Sequence, residues 1–148
     1  MPAIDFEQLV KSMGDAVVVT DGAGAIVFWN AAATRIFGFT EADALGQSLD
    51  LIIPERQRGR HWDGYNKTMA SAQTRYGTTL LKVPALHKDG HTLSIAFTVM
   101  LLTGVQGEVQ GVGAVIRDET SRFQDERALR KRIAELEARL AAEPSGAA

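Results

Sequence analysis

Cysteine is absent from this chain. Its absence excludes disulfides, thiol nucleophiles, cysteine-held iron–sulfur clusters and thioether-linked haem. Any metal or cofactor must be held by His, Met, carboxylate or packing. Long apolar runs are missing too, and none approaches the roughly 20 residues of a bilayer-spanning helix. The opening Met1-Pro2-Ala3-Ile4-Asp5 has neither the basic patch nor the apolar stretch of a signal peptide. The expectation is a cytoplasmic location with no membrane partner. There is no excess of charge of one sign, with 16 basic against 18 acidic side chains. Nothing in that balance draws the chain to nucleic acid. Neither a Ser-His-Asp set nor a paired-carboxylate motif stands out, so the chain reads as something other than an enzyme.

What is present is enough apolar residue, 45% of 148, for one domain with a core. Phe6, Leu9, Val10 and Met13 place an amphipathic helix over 3–13, ended by Gly14. Ala16 to Thr20 reads as a buried strand. Asp21-Gly22 signals a hairpin turn into a second strand ending at Trp29. Gly22-Ala23-Gly24 precedes a strand, not a helix, which favours a turn over a phosphate loop. Asn30 is placed to cap a helix over 31–37, Gly38 to stop it, and Thr40 to start another. Pro54 suits the start of a helix over 55–71. Thr78 to Leu86 is a strand whose Pro84 demands an edge or a bulge. Lys88-Asp89-Gly90 turns into a strand over 91–102, where Leu93, Ile95, Phe97, Val99 and Leu101 share one face. A last strand spans 108–117. Leu129, Ile133, Leu136 and Leu140 then follow at heptad spacing, a coiled-coil seam. The basic residues Arg127, Arg130, Lys131 and Arg132 alternate with glutamates there and read as its solvated flanks.

These elements imply an α+β fold: one five-stranded antiparallel sheet with short helices on one face. The organisation expected is an N-terminal helix over 1–14, a core over 15–120, a coiled-coil helix over 121–140 and a disordered tail over 141–148. A ligand would enter the hollow between the sheet and the helix over 55–71.

The order of elements and their punctuation resemble a PAS domain. The resemblance rests on Asp21-Gly22, Ile26 to Ala33, Phe37-Gly38-Phe39-Thr40, Gly46-Gln47-Ser48-Leu49, Ile53-Pro54-Glu55, Lys88-Asp89-Gly90 and Ile116 to Thr120. It implies a sensory and dimerisation module, either stand-alone or part of a longer sensor, with an unknown effector protein as partner. The light-sensing branches use a cysteine, so no flavin is expected. The closest look-alike is the FixL-type haem branch, in which a helical histidine seven residues beyond the proline ligates iron. Here that position is His61, and Met69-Ala70-Ser71 is similar to the Met-Ala-Thr that follows the ligand.

The resemblance implies haem b with His61 as proximal ligand and Leu81, Phe97 and Val99 over the ring. It implies Lys67 and Arg75 near the propionates. It also implies output through the C-terminal helix of a homodimer, and a diatomic gas or redox state as the signal. Leu81 stands where FixL-type domains carry the arginine that contacts oxygen, and Thr79 where a methionine ligand can sit. Oxygen-specific switching is therefore the least supported of the gas readings. From the residues alone, His61 beside Arg56, Arg58 and Arg60 also reads as a solvated or capping histidine. Trp62, about 100° further round the helix, reads as a core or dimer-packing residue. His87 and His91 read as solvent-exposed hairpin residues, not metal ligands, with no third ligand nearby in sequence. A cofactor-free scaffold or a domain binding a small organic metabolite are the other readings.

Overall fold

The computed structural model describes residues 2–71 and 78–144. The chain divides into two compact units, Met1–Asp118 and Glu119–Ala148. In the first unit, α1 (Phe6–Ser12) leads into the hairpin β1 (Ala16–Asp21) and β2 (Ile26–Trp29). Two short helices follow, α2 (Ala31–Phe37) and α3 (Glu41–Ala44), then a single 3₁₀ turn, Leu49–Ile52. The long helix α4 (Glu55–Ser71) precedes β3 (Leu81–Leu86), β4 (Thr92–Thr103) and β5 (Val109–Asp118). The second unit is the helix α5 (Thr120–Ala142).

The strands form one sheet in the order β2-β1-β5-β4-β3, antiparallel at every junction. Chain-first and chain-last strands thus lie side by side, which closes the unit across its centre. β3 is an edge strand, as Pro84 requires. Its missing N–H costs no ladder bond if it points outward. The alternation in β4 buries Leu93 and Ile95 fully and Phe97, Val99 and Leu101 partly. The core assembles Ile26, Trp29, Phe37, Ile52, Ala85, Leu93, Ile95 and Ile116 between the sheet and the short helices. No described helix is long and apolar enough to cross a membrane.

Asn30 ties the entry of this unit together. Its Oδ1 accepts from Ala33 N–H (3.0 Å), capping α2, and from Val17 N–H (2.9 Å). Its amide donates to Val10 O (3.0 Å) and Asp15 O (3.1 Å). One buried side chain therefore joins α1, β1 and α2. Gly38 ends α2 in the left-handed region, φ 84°, which only a residue without Cβ adopts at no cost.

Candidate functional site

α4 begins where Pro54 leaves its carbonyl to Gln57 N–H (2.9 Å). Arg58, in the polar run before His61, folds back on that start, donating to Ile53 O (3.0 Å) and Asp50 O (3.3 Å). Its guanidinium is thereby taken up locally, which leaves the next turn to three aromatic rings. His61 packs edge-on against Trp62 (centroids 4.6 Å) and tilted against Tyr65 (5.9 Å). His61 and Tyr65 are one turn apart on the same side of the helix.

Tyr65 shows which side that is. Its hydroxyl donates to the carbonyl of Asp21 and lies 3.0 Å from Thr20 Oγ1 on β1. Burial raises the Tyr65 pKa, and the Asp21 charge acts in the same direction, against the Thr20 hydrogen bond. The Tyr65–His61 side of α4 therefore faces the sheet. His61 is half-buried there, and its Nδ1 is a buried ring nitrogen with no hydrogen-bond partner among the described residues. Burial lowers the His61 pKa, opposed by the Asp50 carboxylate. The ring is thus biased to the neutral form, the one that can offer a lone pair.

The other residues expected at this site are distributed unevenly. Leu81 and Phe97 are direct cross-strand partners, and Val99 lies two residues further along the same face of β4. All three are half-buried, so the sheet does bring them together as an apolar surface. Lys67 is exposed and sits about 120° around α4 from His61. Thr79 is exposed as well. Arg75 lies outside the described residues, as do the last four residues of the expected tail. Trp62 has its own seat. Its indole N–H donates to Asp50 Oδ1 (2.7 Å), and its ring covers Gly24, where an added Cβ would lie 2.3 Å from two ring carbons. Trp62 thus packs on the β1–β2 turn, within its own unit.

A second cluster lies at the β3–β4 hairpin. His87 is half-buried, contrary to the expectation of a solvent-exposed ring. It packs against Gly38, where a Cβ would lie 2.6 Å from His87 Cε1. Its ring stacks on that of His91 (centroids 4.5 Å, 22° between planes). Asp89 between them supplies the third group that sequence spacing had seemed to deny. Its Oδ1 lies 3.3 Å from His87 Nδ1 and also bonds His91 Nδ1. The Asp89 carboxyl is held below the usual carboxylate range, chiefly by the His91 N–H.

In α5 the seam residues Leu129, Ile133, Leu136 and Leu140 are 41–69% exposed, so the apolar stripe is uncovered in the single chain.

Comparison with known proteins agrees with this architecture. The family model described as PAS fold matches residues 4–118. An uncharacterised protein of Azorhizobium caulinodans is 35% identical over 118 residues, covering 79% of this chain and 16% of that protein. The sensor protein FixL of Bradyrhizobium diazoefficiens is 28% identical over 134 residues, covering 86% of this chain and 25% of FixL. The chain thus spans a quarter or less of those relatives. Among solved structures, the PAS domain of a Colwellia psychrerythraea protein superposes with a TM-score of 0.69 at 25% identity, over 78% of this chain and 95% of that one.

Proposed function

This chain belongs to the PAS family across residues 4–118, and from that premise we propose that it is a sensory module holding haem b through His61. One observation carries the reading: the Nδ1 of His61 is buried without a partner among the described residues, on the side of α4 that faces the sheet. A buried polar atom left unpaired is costly and calls for a ligand or a proton acceptor. The donor set fits haem. His61 offers a neutral imidazole, and Leu81, Phe97 and Val99 offer an apolar surface that is only half covered. The likeness to FixL supports the same choice. When bound, haem supplies an iron that takes a diatomic gas or changes redox state. The chain's part is to present the imidazole, keep it neutral by burial and exclude water with the apolar strands. Lys67, on another side of α4, is not placed for a propionate, which leaves that role to Arg75.

Output runs through α5. Its uncovered seam suits a homodimer in which the sensor biases the pairing of two helices and an effector protein reads the change. Sedimentation should show a dimer at micromolar concentration that dissociates in an Ile133→Asp variant. A monomer throughout contradicts this part.

A cofactor-free module is the second reading. The bond from Tyr65 to β1 and the packing of Trp62 on Gly24 favour it, since they brace α4 with protein groups alone. A visible spectrum after expression with added haem separates the two. The haem reading expects a Soret band that shifts or vanishes in His61→Ala. No band, or one unchanged in that variant, overturns it.

A further inference from the structure

We propose that the β3–β4 hairpin binds one divalent transition-metal ion of the zinc class through His87, Asp89 and His91. The three donor atoms lie within 4.8 Å of one another. Donors sharing one zinc ion at bond lengths of about 2.1 Å stand about 3–4 Å apart, so small side-chain rotations close the set. Two imidazoles and one carboxylate suit zinc and its neighbours better than calcium or magnesium, which take oxygen ligands. Three protein donors leave a fourth position for water.

The backbone prepares the cluster. His87 N–H donates to His91 O (3.0 Å), and Gly90 N–H to His87 O (2.9 Å). Gly90 takes φ 94°, so the turn is tight and the two imidazoles are paired across it. Lys88 N–H donates to Phe37 O (2.8 Å), fastening the turn to the end of α2. The Lys88 ammonium is engaged by Asp43 at 3.5 Å, which partly neutralises this cation of the turn.

The tautomers are also suited. His87 Nδ1 accepts from Asp89 N–H (3.1 Å), so its lone pair is already on that nitrogen. His91 Nδ1 and Asp89 Oδ1 are hydrogen-bonded to each other. When the metal ion takes the Nδ1 lone pair of His91, the single ring proton sits on Nε2, and at His87 the ion displaces the weak bond from Asp89 N–H. Binding would clamp the hairpin beside α2, at a site distinct from His61.

The test is calorimetric titration of the full chain, purified without haem, with zinc chloride. The expected result is saturation at one ion per chain. Affinity should fall about tenfold or more in His87→Ala and in His91→Ala, and less in Asp89→Asn, which keeps the turn. His61→Ala should bind as the parent does. Only three histidines occur in the chain, so imidazole NMR signals provide a second readout: those of His87 and His91 should shift with zinc and that of His61 should not. No saturable binding overturns the proposal. So does binding that His61→Ala abolishes, or that survives unchanged in His91→Ala.

Discussion

Asn30→Ala should be among the most damaging single substitutions in this protein. Asn30 is 3% exposed and makes four hydrogen bonds. Alanine removes the cap of α2, worth about 1 kcal/mol. It also strands the Val17 N–H, whose residue is 7% exposed, at a cost of about 1–3 kcal/mol for a buried donor without a partner. The carbonyls of Val10 and Asp15 lose a donor too, but both residues are only half-buried, so water can replace it. The total is about 2–4 kcal/mol, a large share of the roughly 5–15 kcal/mol that a domain has. Urea unfolding followed by far-ultraviolet circular dichroism measures it, with the midpoint lowered and the slope unchanged. Asn30→Asp supplies the control. It keeps both acceptor bonds but sets a carboxylate against two carbonyls. It should be at least as destabilised as alanine near neutral pH and recover towards about pH 5, where a carboxyl whose pKa is raised by burial regains a proton and donates. A loss below about 1 kcal/mol in Asn30→Ala, or no pH recovery in Asn30→Asp, would refute the four-bond account.

Three further outcomes are expected. Gly24→Ala should cost about 2 kcal/mol or more, because its Cβ meets the Trp62 ring and its φ is 87°. In a Trp62→Ala background the same change should cost only about 1 kcal/mol, a coupling that a double-mutant cycle of unfolding free energies reads directly. Tyr65→Phe removes the bonds to Asp21 and Thr20 and should cost about 1–2 kcal/mol by chemical denaturation. Because the folded His61 pKa lies below its usual value of 6.5, the unfolded chain binds more protons there. The stability from the neutral ring is therefore present above about pH 6.5 and lost as pH falls through the folded pKa. The fall in thermal midpoint on acidification should be shallower in His61→Ala.

Much of the fold was legible because its signals are local. Asn30 and Gly38 bound α2, Pro54 precedes α4, and Pro84 placed β3 at an edge. Each rests on backbone chemistry within a few residues. The β4 alternation likewise carried its own direction. The site was less legible because its contacts join distant segments. No spacing rule brings Trp62 onto Gly24, or the Tyr65 hydroxyl to Thr20, 45 residues away. Asn30 was readable as a cap, but its hold on Val10 and Asp15 depends on where α1 and β1 end up. At the hairpin the third donor was present in the turn itself. Asp89 reads as a turn former, and only the closed turn sets its carboxylate against the Nδ1 atoms of two stacked imidazoles. Lys67 shows the opposite case, since helix geometry turns it away from the face that His61 occupies.

Whether the chain binds haem through His61 is most directly read from tryptophan emission. The chain has two tryptophans, so Trp29→Phe leaves Trp62, in contact with His61, as the reporter. Haem added to that variant should quench its emission to saturation at one haem per chain. The affinity should drop about tenfold or more when His61 is also changed to Ala. Quenching that never saturates, or that follows the same curve without the imidazole, would contradict the account.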